Sequence, residues 1–233
     1  MLFRSKLLVL AGGLGTRLKS AVPDLPKVLA PINDKPFIHY IIDHYLKNGI
    51  DHFVFLLGYK SELIIKYIDL HLSHISKEYI IEKEQMGTGG AIQMGLKAVK
   101  DEYFFATNGD TFFDVDLQKL KSAYDNFECV IALKHMQQFD RYGSVTLNEN
   151  DEIVSFNEKK YCESGLINAG FYLINREKFL QHRFPDKFSF EKDYLENRTI
   201  NRNLKGFVSD GYFIDIGIPE DYLKAQLDLP SLK

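Results

Sequence analysis

The chain has 233 residues, 45% of them hydrophobic, enough for a folded core and suited to one α/β domain spanning the whole chain. Its 29 basic and 32 acidic residues leave a net charge of −3 with no block of either sign, which argues against nucleic acid or a membrane surface as partner. Cys129 and Cys162 lack a metal-ligand spacing, the seven histidines form no cluster, and no apolar run approaches the ~20 residues of a membrane span, so a reduced, cytoplasmic setting is expected.

Residues 1–10 place Arg4 and Lys6 before a short apolar run, as a signal peptide would, but the run stops at Gly12 and no cleavage site follows. Lys6-Leu7-Leu8-Val9-Leu10 is read instead as a strand buried on both faces of a parallel sheet. Ala11-Gly12-Gly13-Leu14-Gly15-Thr16-Arg17-Leu18 follows, and the stretch closes at Pro26-Lys27. Glycines there let backbone amides approach a ligand and cradle an anion. Arg17 adds a planar cation and Lys27 a more mobile one, so the stretch suits a triphosphate. A P-loop is ruled out because Thr16-Arg17 follows Gly15, and a dinucleotide fingerprint because Leu18 stands where its third glycine belongs.

Helical spacing of Ile38, Ile41, Ile42, Tyr45 and Leu46 predicts a helix over 37–48, closed by Gly49. A strand over 52–57, a helix over 61–70 capped by Ser61, and a strand over 79–81 come next. This β-α-β-α-β order argues for a parallel sheet. Residues 82–90 then read Glu-Lys-Glu-Gln-Met-Gly-Thr-Gly-Gly at the end of a strand, where open α/β sheets bind ligands. Thr88 is expected to cap a helix over 90–99. Glycine would let a flat base lie on the backbone, and a carboxylate from Glu82 or Glu84 would accept both adjacent donors of guanine. An amide side chain would suit uracil or thymine better. The competing explanation is a glycine linker before a helix.

A strand over 103–107 ends in Asn108-Gly109-Asp110, where the carboxylate is a candidate Mg²⁺ ligand and a plain turn is the alternative. A helix over 117–127 and a strand over 129–134 follow. Beyond them, short segments at 143–147, 153–158 and 167–174 suggest a smaller mixed or antiparallel extension, with a polar turn at 148–151. It carries Gly143, Glu158, Lys159, Asn168 and Gly170, residue types that suit sugar hydroxyls and a sugar phosphate. Residues 179–195 give no clear pattern beyond a short helix over 191–197. Strands over 204–209 and 212–214 around Asp210-Gly211 read as a two-residue hairpin. Asp215 is another carboxylate just past a strand, and Pro219-Glu220 opens a last helix to about residue 227, after which no second domain is expected.

Taken together, Gly12 to Leu18 with Lys27, Gly87-Thr88-Gly89, Gly109-Asp110 and Phe213-Ile214-Asp215-Ile216-Gly217 make the chain resemble the sugar-1-phosphate nucleotidyltransferases along nearly its whole length. The resemblance implies a Rossmann-like, mostly parallel sheet flanked by helices, with a nucleotide-binding half over about 1–135 and a sugar-phosphate-binding half over about 136–233. It implies Arg17 and Lys27 as the catalytic cations and Leu10, Gly12, Gly13, Gly15 and Thr16 on the nucleotide. Gly87 and Thr88 would join Glu82 or Glu84 at the base; Asp110 and Asp215 would hold Mg²⁺; Gly143, Glu158, Lys159, Asn168 and Gly170 would hold the sugar phosphate. The usual proline after the loop is displaced to Pro23, so the loop over 19–26 departs from the pattern. Within the family, Pro31 to Phe37, residues 82–91 and Asn108 to Asp114 are most similar to the D-glycero-α-D-manno-heptose 1-phosphate guanylyltransferases, which make GDP-heptose for bacterial surface glycans. That implies GTP and a heptose 1-phosphate as substrates and leaves a homodimer open. The rivals are mannose-1-phosphate guanylyltransferases, glucose-1-phosphate uridylyl- or thymidylyltransferases, a non-catalytic sugar-nucleotide-binding subunit, and an NAD-binding oxidoreductase. Arg17, Lys27, Asp110 and Asp215 together count against the non-catalytic reading.

Overall fold

The computed structural model describes residues 5–232; the signal-like start at Met1 to Arg4 lies outside them. β1 (Ser5–Ala11) is an interior strand of the sheet. Leu7 and Val9 enter the core on one face and Leu8 enters it on the other, each fully buried, which is why this strand reads as an unbroken apolar run. After a hairpin of two short strands, β2 (Pro31–Ile32) and β3 (Lys35–Pro36), the chain forms α1 (Phe37–Lys47), β4 (Ile50–Leu57), α2 (Ser61–His71) and β5 (Ser76–Ile81). β1, β4 and β5 pair in parallel. Gly49 follows α1 with φ +96°, the left-handed geometry that glycine tolerates. Lys60, rather than Ser61, is the residue preceding α2; it sits at φ +51° and no side chain caps the helix.

α3 (Gly87–Gly95) returns the chain to the other side of β1, where β6 (Tyr103–Asn108) pairs with it in parallel. Thr88 therefore lies inside the first turn of α3 and does not cap it. β7 (Thr111–Phe113) and α4 (Leu117–Ser122) follow; α4 stops five residues short of the expected end, with Asp116 accepting from the Gln118 and Lys119 amides at its start.

The second half extends the same sheet. β8 (Cys129–Phe139), β9 (Ser144–Leu147), β10 (Ile153–Phe156) and the 14-residue β11 (Cys162–Asn175) are joined antiparallel, and β11 also pairs antiparallel with β6. Gly170, at φ +70°, interrupts the β11–β8 register between Asn168 and Tyr172. α5 (Arg176–Leu180) leads to a single π-helical turn, Phe190–Leu195, that runs on into α6 (Glu196–Arg198). β12 (Leu204–Val208) pairs in parallel with β8, and β13 (Phe213–Asp215) pairs antiparallel with β7, so the expected hairpin around Asp210-Gly211 does not form. The glycine has a different reason: a Cβ on Gly211 would overlap the Asp114 carbonyl as the chain passes it. α7 (Pro219–Asp228) opens with proline, as expected, and packs Tyr222 and Ala225 inward.

Two buried clusters flank the sheet. One holds α1, α2, α4 and α7 residues against Leu7 and Val9; the other holds Ala91 and Ile92 of α3 with Phe179, Phe188, Phe190 and Tyr194. Because β4 and β6 lie on opposite sides of β1, the order in which strands are added reverses there, and the carboxyl ends of these three parallel strands open a crevice. No helix among the described residues is long and apolar enough to cross a membrane.

Candidate active site

A cleft of about 450 Å³ occupies that crevice. Leu10, Ala11, Gly12, Gly13, Gly15, Thr16 and Arg17 line one side, with Pro26, Lys27 and Val28 below them. Gly15 takes φ +59°, and a Cβ there would stand 3.0 Å from Cβ of Lys27, so the loop turns tightly over the lysine. Thr16, Arg17 and Leu18 form one 3₁₀ turn that buries Leu18 and leaves Arg17 exposed. Lys60 donates to the Asp24 carbonyl at 2.6 Å and ties down the loop over 19–26.

Three charged groups meet at the floor. The Lys27 amine lies 2.5 Å from an Asp110 oxygen and 3.5 Å from an Asp215 oxygen, and its side chain is only 9% exposed. Asp110 follows β6 and Asp215 ends β13, so separate strands deliver carboxylates to one nitrogen. Asp215 also accepts from the Gly217 amide at 2.7 Å. Burial, with the charge of Asp110 adding to it, raises the Asp215 carboxyl above the usual carboxylate range; the Lys27 amine and the Gly217 amide oppose this. Gly109 is held by a hydrogen bond from its amide to the Leu10 carbonyl at 2.8 Å, and a Cβ there would stand 2.7 Å from that oxygen.

The other wall carries Glu82, Gln85, Gly87, Thr88, Ala91, Asn108 and Lys187. Glu82 presses against the glycine loop: a Cβ on Gly12 would be 2.7 Å from its Oε1. Its Oε2 accepts from the Met86 amide at 2.9 Å. Burial raises its carboxyl above the ordinary range, the Met86 hydrogen bond opposing. Glu84 is exposed and does not line the cleft. The Thr88 hydroxyl donates to Glu191 at 2.6 Å and accepts from the Phe190 amide at 2.9 Å.

Gly143, Glu158, Lys159, Asn168 and Gly170 do not line the cleft. Gly143 lies against Asn157, where a Cβ would be 2.6 Å from its carbonyl, so the chain segments bearing Gly143 and Glu158 are neighbours. Glu158 and Lys159 are exposed. The Asn168 side chain accepts from the Gly170 amide at 2.9 Å and donates to the Tyr172 hydroxyl at 3.1 Å. Lys187 was absent from the expected site because it comes from 179–195, the stretch without periodicity. Asn108 and Gln85 neighbour Asp110 and Glu84 in the sequence, and nothing in their residue type alone marks them as cleft residues.

The sequence model of the Nucleotidyl transferase family matches residues 6–231. The chain belongs to that family. It is 45% identical over 224 residues to the D-glycero-α-D-manno-heptose 1-phosphate guanylyltransferase of Aneurinibacillus thermoaerophilus, covering 95% of this chain and 97% of the relative. It is 46% identical to the enzyme of the same description from Campylobacter jejuni, covering 92% and 96%. The crystal structure of HddC from Yersinia pseudotuberculosis complexed with GMP-PN superposes with a TM-score of 0.86 at 35% identity, covering 96% of this chain and 98% of that one. This chain shares the nucleotide-diphospho-sugar transferase fold with that structure.

Proposed function

We propose that this chain transfers GMP from GTP to D-glycero-α-D-manno-heptose 1-phosphate, releasing pyrophosphate and giving a GDP-heptose. The observation that carries the nucleotide is Glu82, a half-buried carboxylate in the cleft wall beside the base loop, able to accept both N1–H and the 2-amino group of guanine. The two heptose 1-phosphate guanylyltransferases at 45% and 46% identity support the sugar.

The glycine loop cradles the triphosphate with its amides, and Arg17 offers a cation at its rim. A phosphate oxygen of the sugar 1-phosphate attacks the α-phosphorus in line with the leaving pyrophosphate. That nucleophile is an anion at neutral pH, so no general base is needed, and the barrier lies in charge repulsion and positioning. Lys27 stands on the floor where that charge collects. Gly143, Glu158, Lys159, Asn168 and Gly170 are the proposed sugar-phosphate contacts.

Asp110 and Asp215 are proposed to hold Mg²⁺. Both bring an oxygen to one amine, so those oxygens are at most about 6 Å apart, and one lysine leaves a negative charge uncompensated. Two carboxylates are too few for a protein-only cage, and among the described residues no group of three or more such ligands exists; that fits an ion whose shell is completed by phosphate oxygens and water. When bound, the ion would supply a Lewis acid and a template for the phosphates. The test is a panel of four nucleoside triphosphates against heptose, mannose and glucose 1-phosphates, with pyrophosphate release measured. GTP with the heptose 1-phosphate is expected to give the highest kcat/KM, and a preference for UTP or dTTP would overturn the proposal. Asp110→Asn and Asp215→Asn are each expected to abolish turnover.

A further inference from the structure

Residues 186–188 cross the first turn of α3 at contact distance. The Phe188 amide donates to the Met86 carbonyl at 3.0 Å, and its own carbonyl accepts from the amides of Gly89 at 3.0 Å and Gly90 at 3.4 Å. A Cβ on Gly87 would overlap the Phe188 carbonyl, one on Gly89 the Phe188 ring, and one on Gly90 the Asp186 carbonyl. These glycines are therefore required by a crossing strap of backbone. The strap is anchored at both ends. The Phe188 ring is 4% exposed and stacks on Phe184 at 4.4 Å, and just beyond it Thr88 holds Glu191 and the Phe190 amide.

Lys187 sits in the middle of this strap, exposed, and lines the cleft beside Gly87, Thr88 and Ala91. Among the described residues, no ion pair or side-chain hydrogen bond engages its amine. Arg17 and Lys27 come from the glycine-loop side; Lys187 enters from the α3 side, where the base loop lies. Glu82 and Lys187 thus bring opposite charges to either flank of Met86-Gly87.

We propose that Lys187 is a specificity-determining residue that donates to the O6/N7 edge of guanine, across the base from Glu82. The proposal rests on the guanine reading above. Guanine places two donors, N1–H and the 2-amino group, next to two acceptors, O6 and N7. A carboxylate and an ammonium match those two sets; an ammonium has donors only. Adenine would set its 6-amino group against Lys187 and its N1 acceptor against Glu82. Uracil and thymine keep a carbonyl acceptor but have no counterpart of N7.

The experiment measures kcat/KM for GTP and 7-deaza-GTP in the wild type, Lys187→Met and Lys187→Arg, with GTP against dTTP in the wild type as the reference. Lys187→Met is expected to lose roughly tenfold to a hundredfold on GTP, the scale of one charge-assisted hydrogen bond, and much less on 7-deaza-GTP. The ratio between the two nucleotides should fall toward one, and Lys187→Arg should restore it. An equal loss on both nucleotides would show that N7 is not an acceptor for Lys187 and overturn the inference, as would no loss. A wild type that prefers GTP in either of those outcomes leaves the guanine reading standing; a wild type that prefers dTTP removes both.

Discussion

Lys27 is the residue with the most to do in this cleft, because two carboxylates from distant parts of the chain are drawn to its one amine. Lys27→Ala is expected to lower kcat by roughly 10²–10³, the cost of removing one preorganised donor, in a steady-state assay of pyrophosphate release. Glu82 gives a second prediction at this scale. Burial raises its carboxyl, and the protonated form cannot accept both guanine donors. KM for GTP should therefore rise as pH falls into that raised range, with the ionised form restored above it. Glu82→Gln should flatten this dependence and shift the kcat/KM ratio from GTP toward dTTP; a pH profile that survives the substitution would assign the effect elsewhere. The place of both residues in the cleft was legible in the sequence because their neighbours in the chain are also their neighbours in space: Glu82 shortly precedes Gly87 and Thr88, and Lys27 closes the glycine loop. Separating Glu82 from Glu84 needed coordinates, which put Glu82 in the cleft wall and leave Glu84 exposed outside it.

At the scale of elements, a glycine can answer to a distant partner that local chemistry does not show. The run Gly87-Thr88-Gly89-Gly90 is read from the sequence as room for a base; its three glycines also make room for the strap. Asp210-Gly211 was read as a hairpin turn, whereas that glycine clears the Asp114 carbonyl and the flanking strands pair elsewhere. A glycine's composition signal is the same in each case; only the nonlocal neighbour differs. Gly89→Ala should therefore push against Phe188 and lower stability by ~1–3 kcal/mol, the usual cost of overpacking, measured by chemical denaturation. KM for GTP should rise in the same variant, because α3 and Lys187 are docked through that contact. Thr88→Val, which removes the hydroxyl joining α3 to Glu191 and Phe190, should raise KM for GTP with a smaller stability loss. A KM for GTP unchanged from the wild type in both variants would show that the strap and the nucleotide are independent.

Across the whole molecule, the alternation of strands and helices over the first half was readable because β1, β4 and β6 are buried on both faces and α1 and α2 carry apolar stripes. The second half was harder, since β11 begins five residues before the expected strand and pairs with three others. Its register break at Gly170 ties the halves together: a Cβ there would stand 2.5 Å from the Asn108 amide nitrogen, and the same glycine's amide bonds to Asn168. Gly170→Ala should therefore disturb KM for GTP and for the sugar phosphate together, along with a loss of stability, since φ +70° disfavours any side chain. A change in only one KM would contradict this. β11 pairs with β6 over Phe171–Asn175, with β9 at Leu166 and Ile167, and with β8 on either side of its register break, so one strand runs from beside the cleft residue Asn108 to the proposed sugar-phosphate contacts. Under the proposed assignment, both reactants would rest against one strand, so aligning them would require no closure of one half of the chain on the other.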